Sequence, residues 1–160
     1  MAPAGAYFRG VTTATTAVLA IIHVGLAAAW VGGMAYSLFV VQPKLKKYFG
    51  KDQEGREMLT AVIASGNRWK VIGLIGAITL TGGALLAINH EHWWIHAVKG
   101  FLLLIATAIF WYVSWRHWPQ RVFATAAELP KLQARLITLA TTMLGLAGTA
   151  FALGVLAEHL

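Results

Sequence analysis

The sequence predicts an all-α integral membrane protein, a four-helix bundle with both termini on the outer side. Three observations predict it. Of the 160 residues, 58% are hydrophobic and only 12% charged, whereas a soluble domain carries about 25% charged residues. Mean hydropathy is +0.65. Apolar runs near the roughly 20 residues needed to cross a bilayer recur four times between basic or turn-forming segments. The length allows one bundle, a single membrane domain over residues 1–160.

The first span is expected over 17–41, closed by Pro43 and the basic run Lys44-Leu45-Lys46-Lys47. The second is expected over 71–88, after Asn67-Arg68-Trp69-Lys70 and before Asn89, and its helix can begin as far back as Met58. The third covers 93–115 and stops at Arg116-His117-Trp118-Pro119. The fourth covers 136–156, after Leu129 to Arg135. The sequence has no strand-like alternation, internal repeat or low-complexity linker. "MAPAGAYFRG" lacks the basic leader of a secretory signal, so no cleaved peptide is expected.

Charge fixes the predicted orientation. Eleven of the 13 basic residues fall in the first and third connections, between Lys44 and Lys70 and between Arg116 and Arg135. Basic loops stay in the cytoplasm, which places both termini outside and fits a multi-pass protein of a bacterial inner membrane. The net charge of +7 is thereby explained by topology, with no need for nucleic acid as a partner. Trp69, Trp93, Trp94, Trp115 and Trp118 fall at span ends, where amphipathic rings favour the headgroup layer. Gly25, Ala28, Ala29 and Gly32, then Gly73, Gly76 and Gly83, then Gly145, Gly148 and Ala152, are expected to let helices approach closely in lipid.

Several chemistries drop out. There is no cysteine, hence no disulfide, iron–sulfur cluster, thiolate zinc or covalently attached haem. No Asp or Glu lies within a span, against a transporter built on membrane carboxylates. No serine, cysteine or carboxylate constellation suggests hydrolysis.

Six histidines remain. Five of them, His23, His90, His92, His96 and His159, fall in the outer half or at the outer edge, and His117 falls at the cytoplasmic side. At 1.5 Å per residue, His23 sits about 9 Å and His96 about 12 Å outward of their span centres. An ionisable group in hydrocarbon is costly, so it turns into the bundle and marks function. The expected centre is therefore His23 with His96, at one depth on two non-adjacent segments. Lys99, one turn below His96, either binds an acidic group such as a propionate or snorkels outward. Trp30 shares the His23 face at i+7.

Haem b takes one or two axial histidines and needs a slot with small residues, which Gly25, Ala27 and Gly100 permit. Copper is the other candidate, since imidazole suits it, although Met1, Met34, Met58 and Met143 form no cluster. Zinc on the same ligands needs a third or fourth.

The stretches "HVGLAAAWVGGMAYSLFVVQP", "RWKVIGLIGAITLTGGALLA" and "WWIHAVKGFLLLIATAIFWYVSWR" resemble the membrane domain of copper-resistance D-type proteins. They are also similar to the related J-type protoporphyrinogen oxidases. The shared features are His23 followed by Trp30 and Gly32-Gly33, Pro43 at the end of the span, and a Trp–x–His with a nearby Lys opening the third. The resemblance covers about residues 18 to 117. It implies a four-helix, haem-b-associated protein with His23 as the ligand, or copper handling. The expected function is electron transfer with a quinone, a periplasmic carrier or other membrane subunits, in lipid. Copper handling and haem-dependent protoporphyrinogen oxidation are the alternatives.

Overall fold

A computed structural model describes residues 4–64, 66–88 and 93–157, with side chains described over 14–64, 66–88 and 93–156. His90, His92 and His159 lie outside the described residues. The described chain is helical: α1 (Ala4–Tyr36), a π-helical turn (Ser37–Val41), α2 (Gln42–Phe49), α3 (Gln53–Ala64), α4 (Asn67–Ile88), α5 (Trp93–Tyr112), a second π-helical turn (Val113–His117), α6 (Trp118–Val122) and α7 (Leu129–Ala157). Four stretches are long and apolar enough to cross a membrane: Ala14–Phe49, Asn67–Ile88, Trp93–Val122 and Leu129–Leu156.

Two spans continue past the prolines expected to close them, and the reason is local. Proline has no N–H, but it is tolerated in the first turn of a helix, where that N–H has no intrahelical partner. In each case a wide turn resets the helix just before the proline. The Gln42 N–H bonds the Ser37 carbonyl, and the Trp118 N–H bonds the Val113 carbonyl, both five residues back. Pro43 and Pro119 then occupy the opening turns of α2 and α6. The next carbonyl in the second series, that of Ser114, loses its amide partner to Pro119. The Arg68 guanidinium of α4 donates to it instead.

The second span starts at Asn67 because α3 is a separate helix. Gly50 and Gly66 adopt φ of +55° and +71°, left-handed values that glycine accepts without strain, and they bracket α3. The Asp52 carboxylate accepts the Gly55 N–H at 2.9 Å and caps its first turn. At the head of α7, the Glu128 carboxylate accepts both the backbone N–H and the hydroxyl of Thr125, at 2.9 and 2.7 Å.

Helix α5 packs most extensively on α7, α1 on α4 and then α7, while α4 and α5 touch at few positions. The ring order is therefore α4–α1–α7–α5, with α1 and α5 on a diagonal. The core is small and drawn from all four spans: Trp30, Ile75, Ile78, Ala106 and Ala147. Large apolar side chains point outward instead, among them Ile21, Leu80, Phe101 and Leu104, each more than 60% exposed. That surface is stable against lipid, where packing rather than hydrophobic burial joins helices.

The small-residue stripes are not where the helices close. A Cβ added at Gly25, Gly32, Gly73, Gly76, Gly83, Gly145 or Gly148 would meet nothing within 4 Å. Two other membrane glycines, Gly82 and Gly154, are filled, and by polar side chains rather than by helix backbones.

Candidate functional site

The chain alternates direction, so the middle of α1, at His23, meets the end of α4, and the start of α5 meets the end of α7. That end of the bundle carries the sequence-predicted residues. His23 on α1 is half-buried and reaches α4, where its Nδ1 lies 2.8 Å from the Thr81 hydroxyl. Thr81 has one proton, and its oxygen stands 2.7 Å from the Ala77 carbonyl, the usual acceptor for a helical threonine. The hydroxyl thus donates to Ala77 and accepts from Nδ1–H. The Ile78 backbone also lies against the same imidazole. Fixing the proton on Nδ1 leaves the Nε2 lone pair for a ligand, the arrangement that metal-binding imidazoles use.

Gly82 forms the floor beneath the ring. A Cβ there would stand 3.0 Å from Cε1, so the imidazole occupies space that any other residue would take. His96 and Lys99, both on α5, lie near enough to His23 to act on it electrostatically across the diagonal. Lys99 turns toward α7, with its Nζ 3.0 Å from where a Gly154 Cβ would stand. One histidine, one threonine, a second histidine and a lysine from three helices therefore share a locality, with the fourth helix supplying the glycine that admits the lysine.

Trp30 is placed differently. It lies two turns along α1, about 10 Å from His23 along the axis, and is buried in the core. It also walls a cavity of about 690 Å³. None of His23, His96 and Lys99 lines that cavity, which extends from Trp30 and Phe110 toward Gln42, Asn67 and Arg68.

The opposite end carries α2, α3, α6 and most of the basic residues, and it buries a second polar cluster. The Arg121 guanidinium is 5% exposed and donates to the Glu57 carboxylate and to Gln133 Oε1, each at 2.6 Å. Gln133 in turn donates to Gln42 Oε1 at 3.0 Å. Arg121 also covers the Trp118 ring, and Arg68 covers Trp115, which stacks on Trp111. His117 is fully buried beside Arg121 and Arg135. The Leu132 backbone is beside it, yet neither ring nitrogen completes a hydrogen bond.

Three contributors escaped the sequence reading: Thr81, Gly82 and Gly154. The i+58 partnership of His23 with Thr81 has no local signature. The only available signal was an unexplained polar residue in a span, which applied to threonine as well as to histidine. Among the described residues, no three His, Asp or Glu side chains gather as metal ligands. A three- or four-ligand zinc site is therefore not formed there, whereas a haem needs only one or two imidazoles. The chain matches no family model, and no curated protein or solved structure is significantly similar to it.

Proposed function

We propose that this chain is a haem-b-binding, electron-transferring protein of a bacterial inner membrane. The observation that supports it is the His23 imidazole, tied by Nδ1 to Thr81 with Nε2 left as a ligand atom. His23 would be the leading axial ligand and His96 the second. Lys99 would offer its ammonium to a propionate. Haem supplies a one-electron couple when bound. The protein holds the imidazole tautomer, orients the ring over Gly82, and keeps the centre among apolar helices. The basic end would face the cytoplasm and both termini the outside. A quinone, a periplasmic carrier or another membrane subunit would exchange electrons with the centre.

Detergent-purified protein gives the test, by pyridine haemochrome assay and metal analysis on one sample. The expected result is haem b with a Soret band and sharp reduced α and β bands. Bound copper with no Soret band would replace this reading by copper handling at the same imidazoles. Oxidation of added protoporphyrinogen by the haem-loaded protein would make it an oxidase. Neither haem nor copper, from cells supplied with both, would remove the proposal.

A further inference from the structure

The cavity near the basic end has its own chemistry, independent of the histidine centre. At about 690 Å³ it lies within the usual size of small-molecule sites, about 300–1,000 Å³. Its deep wall is aromatic and thioether: Trp30, Phe110, Met34 and Met143. Such a wall takes a flat ring, through ring–ring contacts and polarizable sulfur. Its rim is polar, with the neutral Ser37, Gln42 and Asn67 beside the cations Arg68 and Lys70. Gln42, which lines the cavity, accepts from Gln133 through its Oε1, a bond that does not use its own amide N–H groups. The one guanidinium on the wall, that of Arg68, is already committed to the Ser114 carbonyl and the Trp115 face.

We propose that this cavity binds the head group of a lipophilic quinone. A flat, uncharged ring with carbonyl acceptors at its edge matches aromatic walls and neutral donors. A phospholipid headgroup matches less well: with Arg68 engaged it would have only the exposed Lys70 for its phosphate, and it would leave the aromatic and thioether wall unused. The cavity lies between membrane-spanning helices, where a quinone dissolved in the bilayer can reach it. Trp30 joins the two regions, since it walls the cavity and lies two turns from His23.

Two adjacent glycines make the test. Gly32 and Gly33 both have open space where a Cβ would stand, so a side chain at either starts clear of its neighbours. Only Gly33 lines the cavity. Full-length protein in phosphatidylcholine nanodiscs is photolabelled with an azido analogue of decylubiquinone. Label is expected on peptides spanning Trp30–Val41 and Phe110–Trp118, and unlabelled decylubiquinone should compete it away. Gly33→Leu should lower labelling by about tenfold or more, equivalent to about 1.4 kcal/mol, whereas Gly32→Leu should leave it unchanged. His23→Ala should also leave it unchanged, so loss of the haem reading and loss of this one are separate events. Equal labelling in both glycine variants would overturn the proposal. So would label displaced by phosphatidylglycerol and not by decylubiquinone, which would make the occupant an anionic lipid.

Discussion

Each end of the bundle holds an imidazole, and the two are kept in opposite ways. His23 is half-buried, bonded to a threonine on the neighbouring helix, and seated on a glycine. His117 is fully buried beside arginines, with both ring nitrogens unpartnered. The first side chain is oriented by its surroundings. The second is enclosed without being oriented. Burial alone thus does not identify a site, and the hydrogen bond that fixes a tautomer is the more informative feature. The two ends also carry different cations: Arg121 donates to Glu57 and Gln133 at the basic end, and Lys99 stands against Gly154 at the other.

The sharpest break of this contrast comes at Arg121. Its side chain is 2% exposed and that of Glu57 17%. Removing one member of a buried pair leaves an uncompensated charge and costs about 3–5 kcal/mol. Arg121→Met should therefore lower unfolding stability in detergent by that order, and the double variant Arg121→Met/Glu57→Leu should recover most of it. A small loss in Arg121→Met would show that the basic end is held by something else.

The two imidazole environments should respond with opposite signs. His117→Leu removes an unpartnered buried polar group of similar volume and should stabilise by about 1 kcal/mol. Thr81→Val keeps shape but removes the partner of His23, and should destabilise by about 0.6 kcal/mol, the average for interhelical hydrogen bonds in membranes, and by no more than about 1.7 kcal/mol. Chemical unfolding of both variants decides the matter. Equal signs would mean that the two histidines are held alike.

The smallest effect lies outside the membrane segments, at Glu128. The Thr125 backbone N–H, and then its hydroxyl, hold this carboxyl below its ordinary value. A depressed carboxyl contributes stability above its unfolded pKa and loses it as pH falls through the lowered folded value. The start of α7 should therefore loosen only below the ordinary carboxylate range. Thr125→Ala should move that loosening to higher pH, as read by backbone hydrogen exchange near Leu129.

Much of this fold was legible in the residues themselves. The four spans are set by apolar length, which composition reveals directly. Their ends were misplaced at Pro43 and Pro119, because a π-helical turn that accommodates a proline depends on backbone geometry that no residue type announces. His23, His96 and Lys99 were legible because ionisable groups in a span are costly. Thr81, Gly82 and Gly154 were not, since they matter only through side chains arriving from other helices. The neighbours of His117 in sequence place it at the cytoplasmic side, whereas its burial beside Arg121 and Arg135 depends on how α6 and α7 pack.

The central claim is that the Nε2 of His23 holds a metal centre, and exogenous imidazole tests it most directly. His23→Gly, purified from haem-replete cells, is compared by absorption spectroscopy before and after imidazole is added together with haem b. The account predicts that the Soret band is lost in the variant and restored by imidazole. A variant that keeps the full Soret band without imidazole would contradict it.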